Sequence, residues 1–269
     1  MSIEPFAKGI PEAAAKLAAT EAGSHDAATA IMTTDTHSKE VSIEFTIGGK
    51  TCRMGAIAKG SGMIHPNMAT TLAYVTTDAK CDSADLQKML HNAIDKSFNM
   101  CTVDGDTSTN DTMILLANGA SGVEVKTEED KAALAGLIEH ICIDMARRIA
   151  SDGEGATHLI TCEVTHAPDL KTARAVSRSV VCSNLFKAAV FGRDANWGRI
   201  LCAIGYTPGD FSIDKVCVWL SSKAGEVYVC ENAAYHPYSE DEAAKVLAEH
   251  DILVKVDMGT GDASAKAWG

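Results

Sequence analysis

Apolar and polar residues alternate in several short stretches of this chain, and each such stretch predicts a β-strand. Residues 41–45 alternate in this way, and Gly48-Gly49 then allows a tight turn into residues 51–58. Together they predict a β-hairpin. The same reasoning predicts five more strands, at residues 71–77, 158–165, 214–220, 226–230 and 252–257.

Helical spacing of apolar residues fills much of the remaining chain. It predicts a helix from Pro11 to Thr20, a second helix that Ser83 caps and a long third helix over about residues 127–150. Shorter helices are predicted within residues 168–189, over residues 196–205 and after Ser239. Because strands and helices mix without a repeated strand–helix–strand unit, the pattern predicts an α+β fold with mixed or antiparallel sheets.

Composition and charge narrow the class of protein and its partners. The chain has 269 residues, of which 46% are hydrophobic and 22% are charged, which is typical of a globular protein with one large domain or two. A net charge of −12 disfavours nucleic acid and anionic membrane surfaces as partners. Neither a signal peptide nor a membrane-spanning run is recognisable, so we expect a cytoplasmic protein.

The sequence predicts neither disulfides nor a metal site. Nine cysteines are scattered singly from Cys52 to Cys230 without a C-x-x-C pair or zinc spacing, a pattern typical of reduced thiols. The acidic run at residues 104–111 suggests calcium at first sight. However, Ser108 and Thr109 occupy positions where a calcium loop needs Asp or Asn and then Gly.

The most chemically suggestive stretch is KGSGMIHPNMAT, from Lys59 to Thr70. A loop broken by glycine and proline that ends in Ala69-Thr70 suits a chain that cuts its own backbone before a threonine. A free N-terminal threonine combines a hydroxyl nucleophile with an α-amine base, whose pKa of about 8 leaves a useful fraction neutral. On the local sequence alone, a threonine that starts a β-strand is the simpler interpretation.

The same stretch resembles the autoprocessing motif of the ornithine acetyltransferases (glutamate N-acetyltransferases, the ArgJ family). Five further segments resemble the family in the same order: MTTDT at 32–36, VDGDTSTND at 103–111, DGEGAT at 152–157, DANWGR at 194–199 and GDASA at 261–265. Two positions depart from the family pattern, which has proline at Ala195 and Met or Leu at Thr71. Thr70 is preferred over Thr71 as the nucleophile because it follows Met-Ala.

The resemblance implies a self-cleaving acetyltransferase and assigns its site residues. Cleavage falls between Ala69 and Thr70, and the freed Thr70 is the catalytic nucleophile. Substrate binding is assigned to four residues: Thr33, Lys59, Thr70 and Glu154. Without the resemblance, Thr33 is simply a turn residue, Lys59 a solvated lysine and Glu154 an exposed loop residue.

The implied reaction moves an acetyl group from N2-acetylornithine to glutamate in arginine biosynthesis, without a cofactor. Some family members also use acetyl-CoA as the donor. The resemblance implies the ArgJ fold, in which helices cover packed sheets, and an α2β2 assembly of the cleaved pieces. Residues 1–69 are then the C-terminal part of the α-chain portion. Residues 70–269 are the β-chain portion without its C-terminal tail.

Family members are longer, so we expect a chain that is truncated at both ends. Such a chain lacks the Thr-Gly pair that forms the family's oxyanion hole. It also lacks the Asn and the Thr or Ser near the C-terminus that bind substrate. Two alternatives therefore stay open beside the transferase. One is an N-terminal-threonine amidase or aminopeptidase of related fold, and the other is an inactive fragment.

Overall fold

The computed structural model describes residues 2–65 and 71–269, and two β-sheets lie in this part of the chain. The first sheet consists of β1 (Lys39–Ile47), β2 (Lys50–Lys59), β3 (Leu72–Thr77) and β4 (Thr112–Ala117), in that spatial order. Strands β1, β2 and β3 pair antiparallel, whereas β3 and β4 are parallel. The first sheet is therefore mixed.

The second sheet has six strands in the described part of the chain. They are β5 (Leu159–Ala167), β6 (Cys217–Ser222), β7 (Gly225–Glu231), β8 (Ala234–Tyr235), β9 (Asp251–Asp257) and β10 (Ala263–Trp268). Their spatial order is β10-β5-β9-β6-β7-β8. Strands β5 and β9 are parallel, and the other neighbours are antiparallel.

Helices pack on and between the sheets. They are α1 (Glu4–Ala15), α2 (Glu21–Ala30), α3 (Ser83–Lys96), α4 (Glu128–Ser151), α5 (Leu170–Cys182), α6 (Asn184–Phe191), α7 (Trp197–Gly205) and α8 (Glu240–Val246). A capping box of Thr127 and Asp130 starts α4 and satisfies its first free amides. Helix α4 contacts β1 and β2 as well as β5 and β10, so it packs against both sheets.

The predicted fold class is confirmed, and most predicted elements are present within a few residues of their expected bounds. The first predicted helix is wrong in its limits. Helix α1 ends at Ala15 and contains Pro11, and Thr20 caps α2 by accepting a hydrogen bond from the Gly23 amide. Because α1 buries no residue, its apolar residues do not pack against a core that would fix where the helix begins and ends.

Two further features differ from the sequence-based expectation. Asp82, rather than Ser83, caps α3, because its side chain accepts from the Ala84 amide. The strands β4, β8 and β10 and the helix α2 were not predicted. The sequence TMILLA of β4 does not alternate; it forms a strand because it pairs in parallel with β3. No helix in residues 2–65 and 71–269 combines the length and apolarity that a membrane crossing requires, and all nine cysteines are free thiols.

Candidate active site

The predicted cleavage point between Ala69 and Thr70, and with it the boundary between the two predicted chain portions, lies outside the described residues. The site can be built from the residues on either side. The upstream flank is the loop of residues 60–65, which follows β2. The downstream flank is Thr71, which precedes β3.

A buried lysine supports the upstream flank. The fully buried Lys39 donates through Nζ to Asp35 Oδ1 and to Asp152 Oδ2, both at 2.6 Å. Asp35 Oδ1 also accepts from the Gly60 amide at 2.7 Å, so the charge cluster contacts the loop directly. Burial alone would raise the pKa of both carboxyls, but the hydrogen bonds from Lys39 and from backbone amides outweigh it and hold each pKa below its ordinary value.

The charge cluster joins segments that are far apart in the sequence. Asp35 belongs to the MTTDT segment, and Asp152 follows α4 and begins DGEGAT. The Thr36 amide donates to Asp152 Oδ2 at 3.1 Å, and Ser61 Oγ donates to the Asp152 carbonyl at 2.8 Å. Three segments that the sequence singled out separately therefore meet beside the loop.

The candidate substrate residues Thr33 and Lys59 flank this cluster. The Thr33 amide donates to Asp35 Oδ2 at 3.2 Å, while the Thr33 side chain is exposed. Lys59 is the last residue of β2 and is half-buried. Its positive charge acts on Asp111 and opposes the increase that burial causes in the pKa of that carboxyl. Both side chains remain open to a ligand.

Glu154 lies on the opposite side of the same loop. Its amide donates to the Ser61 carbonyl at 2.9 Å. Its carboxylate lies against Gly62, where an added Cβ would be 2.5 Å from Glu154 Oε1. Glycine at this position therefore lets the carboxylate approach the loop backbone closely.

A cavity of about 320 Å³ adjoins this carboxylate. Glu154, Lys187 and Phe191 are among the residues that line it. The Lys187 ammonium donates to the Val103 carbonyl at 2.7 Å, and burial lowers its pKa. Thus a carboxylate and an ammonium group face one concave surface beside the loop.

The structure brings the segments of three candidate residues together without joining their side chains. Within residues 2–65 and 71–269, no hydrogen bond or ion pair links the side chains of Thr33, Lys59 and Glu154 to one another. The fourth candidate, Thr70, lies outside the described residues.

The VDGDTSTND segment binds the backbone of the upstream loop. Asp104 accepts from the Met63 amide at 2.6 Å through Oδ2 and from the Ile64 amide at 3.1 Å through Oδ1. Thr107 Oγ1 donates to the His65 carbonyl at 3.0 Å. Met63 has a positive φ of 56°, a conformation that these bonds help to hold. Sequence reasoning treated this acidic run as a family motif and as a rejected calcium site, and it missed this role.

The same segment also binds the downstream flank. Asp111 Oδ1 accepts from the Thr71 amide, and the Thr112 amide donates to the Thr71 carbonyl at 2.9 Å. Asp111 Oδ2 and Thr71 Oγ1 are buried without a hydrogen-bond partner among the described residues. Burial raises the pKa of Asp111 to about 6, against the opposing effects of the Thr71 amide and the Lys59 charge.

Neighbouring groups occupy both ring nitrogens of His65. Nδ1 lies 3.0 Å from Thr102 Oγ1, and Nε2 lies 3.0 Å from Arg178 Nη2. Because a guanidinium only donates, Nε2 accepts and the proton resides on Nδ1. Burial, and then the charge of Arg178, lower the pKa of His65. The neutral ring therefore bridges the loop to α5.

The acidic residues of the site do not assemble a metal centre in the part of the chain that the structure describes. No group of three or more His, Cys, Asp or Glu side chains there is arranged to hold a metal ion. Asp104 and Asp111 bind backbone amides instead. The absence of a metal from the working protein stays a prediction.

Comparison with known proteins gives these motifs a common origin. The ArgJ family model matches residues 1–269. The protein named arginine biosynthesis bifunctional protein ArgJ from Caldanaerobacter subterraneus subsp. tengcongensis is 46% identical over 278 residues, with 100% of this chain and 67% of the relative covered. The protein of the same name from Symbiobacterium thermophilum is 46% identical over 275 residues, with 100% and 66% covered. The chain spans about two thirds of the length of these relatives.

A solved structure agrees with the sequence matches. The crystal structure of arginine biosynthesis bifunctional protein ArgJ from Bacillus halodurans, at 2.00 Å resolution, matches this chain with a TM-score of 0.69 and 39% sequence identity. The match covers 73% of this chain and 92% of the solved chain. With the family model matched over the whole length and relatives this similar, the chain belongs to the ArgJ family.

Proposed function

We propose that this chain cuts itself between Ala69 and Thr70 and then transfers an acetyl group from N2-acetylornithine to glutamate through Thr70. The observation that carries the proposal is that carboxylates bind backbone amides on both sides of residues 66–70. Asp104 binds amides just before them, and Asp111 binds the amide just after them. A reaction within the chain is accelerated when its reacting groups are held in place, and the names of the family relatives favour a biosynthetic enzyme.

Cleavage requires only groups of the chain and water. The Thr70 hydroxyl attacks the Ala69 carbonyl carbon, and the peptide C–N bond breaks as the hydroxyl proton passes to the Thr70 nitrogen. The Ala69 acyl group is then an ester on Thr70. Water hydrolyses this ester, which leaves a carboxylate on Ala69 and a free amine and hydroxyl on Thr70.

Acetyl transfer uses the same hydroxyl a second time. The α-amine of Thr70 accepts the hydroxyl proton as the oxygen attacks the acetyl carbon of N2-acetylornithine, and the proton leaves on the ornithine amine. The amine of glutamate then attacks the acetyl ester and releases Thr70. Acetyl-CoA would form the same ester if it serves as a donor.

The charges of the site suit these substrates. Lys59 would bind an α-carboxylate or stabilise the developing oxyanion. The exposed Glu154 carboxylate would pair with the side-chain ammonium of ornithine, and Thr33 would offer a hydroxyl. Water reaches all three side chains at least in part, so a ligand can replace water there without breaking an internal ion pair.

The sheet would keep the two pieces together after cleavage. Strand β2, before the cut, pairs with β3, after the cut, from Met54–Thr77 to Lys59–Leu72. The hydrogen bonds of these paired strands do not depend on the broken peptide bond. We therefore propose a heterodimer of pieces 1–69 and 70–269, which assembles as α2β2 in the cytoplasm.

The cleavage is tested by the intact mass of the purified chain under denaturing conditions. We expect two species, one ending at Ala69 and one beginning at Thr70. Thr70→Ala should give a single uncut species, whereas the matched control Thr71→Ala should still be cut. A wild-type chain that stays whole would contradict the proposal and would favour the inactive fragment.

The transfer is tested with N2-acetylornithine that carries an isotope-labelled acetyl group. We expect the label on glutamate, and no transfer by Thr70→Ala. Label in free acetate, with none on glutamate, would instead identify the amidase alternative.

A further inference from the structure

The carboxyl of Asp111 has one oxygen that could accept a proton, and the proposed function gives that oxygen no role. One oxygen binds the Thr71 amide, while Oδ2 is buried and has no hydrogen-bond partner among the described residues. An unpaired buried carboxylate oxygen is energetically unfavourable. Its presence therefore calls for an explanation other than stability.

Covalent geometry sets an upper limit on the distance between this carboxyl and the nitrogen of Thr70. The Thr71 nitrogen is bonded to the Thr70 carbonyl carbon. That carbon is bonded to the Thr70 Cα, which carries the Thr70 nitrogen. From standard bond lengths, these two nitrogens are no more than about 4 Å apart in any conformation. A carboxyl that hydrogen-bonds to the Thr71 amide is thus within about 7 Å of the nitrogen released by cleavage.

The surroundings of Asp111 are those of an acid–base group. Lys59, at the end of β2, is the charged side chain whose field acts on it, and the Thr71 amide is its hydrogen-bond donor. Burial outweighs both and raises the pKa of Asp111 to about 6, which is close to the pH at which a cellular enzyme works.

We infer that Asp111 is the general base and then the general acid of the self-cleavage, a role that rests on the proposed function. Asp111 Oδ2 takes the Thr70 hydroxyl proton as the hydroxyl oxygen bonds to the Ala69 carbonyl carbon. When the C–N bond breaks, Asp111 returns that proton to the Thr70 nitrogen. The carboxylate is thereby regenerated, and no other reactant is consumed before water hydrolyses the ester.

The test follows cleavage of pulse-labelled chains made by cell-free synthesis and transferred to buffers of different pH. We expect Asp111→Asn to be cut roughly 100-fold or more slowly than the wild type, the effect of losing a general base. The wild-type rate should rise with pH through about pH 6, and Asp111→Asn should lack this rise. Asp111→Glu keeps a carboxyl and should retain measurable, pH-dependent cleavage.

Asp106→Asn is the matched control, because Asp106 is an exposed acid of the same segment and its carboxylate binds no amide in the described part of the chain. It should be cut at the wild-type rate. Thermal melting shows which variants fold. A folded Asp111→Asn that is cut at the wild-type rate would overturn the inference while leaving the proposed function intact. If Asp111→Asn does not fold, a cleavage rate of Asp111→Glu that does not change with pH would overturn it. A wild-type chain that is never cut would overturn both.

Discussion

The two sides of residues 66–70 are held by carboxylates in contrasting circumstances. Upstream, Asp35 and Asp152 share Lys39 at 2.6 Å each, and both have a lowered pKa. Downstream, Asp111 binds one amide, leaves Oδ2 without a partner among the described residues and has a pKa raised to about 6. Burial opposes the ionised form of all three carboxyls, so the number of partners decides the outcome.

This difference separates a supporting role from a chemical one. A carboxylate that is fully paired stays ionised and fixes the segments around it, but it has no capacity left for a reacting group. A carboxylate that lacks partners can take up and release a proton near neutral pH. The upstream cluster therefore supports the loop, and Asp111, which binds the Thr71 amide, is the carboxyl suited to the proton transfer that we propose.

The largest expected effect comes from removing the charge that both upstream carboxylates share. Lys39→Met would leave two buried carboxylates next to each other without their cation, which should lower the free energy of unfolding by about 3–5 kcal/mol. Urea unfolding measures this loss. The control is Lys223→Met, since the Lys223 ammonium, which pairs with Glu249 at 2.8 Å, is exposed and a surface ion pair contributes little to stability. Equal midpoints for the two variants would contradict a supporting role for Lys39.

The contribution of the upstream cluster should also vanish in acid. Asp35 and Asp152 have pKa values below those of the unfolded chain, so their stabilisation is complete above about pH 4 and is lost as pH falls through the folded values. The difference between the wild type and Lys39→Met should therefore shrink below about pH 4. If the difference persists there, lost packing rather than lost charge explains the variant.

The elements of this fold could largely be predicted from sequence, but the charge network could not. The alternation of apolar and polar residues along 41–45 involves adjacent positions only, so the hairpin could be predicted from the local sequence. The burial of Lys39 depends on Asp152, 113 residues further along the chain, and a lysine at the start of a strand is ordinarily solvated. The same holds for Asp111, which meets Thr71 across 40 residues.

The candidate site was found by its motifs, and their arrangement was beyond sequence reasoning. The six matched segments identified Lys59 and Glu154 as candidates, but not the contact of the Glu154 carboxylate with Gly62. The acidic spacing of residues 104–111 was the one available signal for the amide-binding role. Sequence reasoning interpreted it as a family motif and tested it against a metal template, and neither interpretation identifies backbone amides as its partners.

A smaller effect, of opposite sign to that of the upstream cluster, is expected downstream. The pKa of Asp111 is raised in the folded chain, so the folded state holds extra proton between about pH 4 and pH 6 and loses stability as pH rises through this range. Asp111→Asn has no such proton to lose. Its free energy of unfolding should rise relative to that of the wild type across this range, by on the order of 1 kcal/mol because water reaches part of the side chain. Melting curves of Thr70→Ala and of Thr70→Ala with Asp111→Asn compare the two without interference from cleavage, and a constant difference would show that Asp111 is an ordinary surface acid.

The smallest effect on stability, with a visible effect on function, is expected at Gly62. An added Cβ would lie 2.5 Å from Glu154 Oε1, and the exposed, flexible Glu154 side chain can rotate away. Gly62→Ala should therefore change the free energy of unfolding by less than about 0.5 kcal/mol, while moving the carboxylate proposed to bind ornithine. Under the proposed function, KM for N2-acetylornithine should rise with little change in kcat.

Gly155→Ala is not a clean control, because Gly155 has a φ of +74° and alanine would be strained there. Glu154→Gln is the better comparison, since it removes the charge without crowding the loop. If Glu154→Gln raises KM and Gly62→Ala does not, the carboxylate can bind substrate from more than one position. If neither changes KM, Glu154 is an exposed loop residue, and the upstream flank serves only to hold the chain.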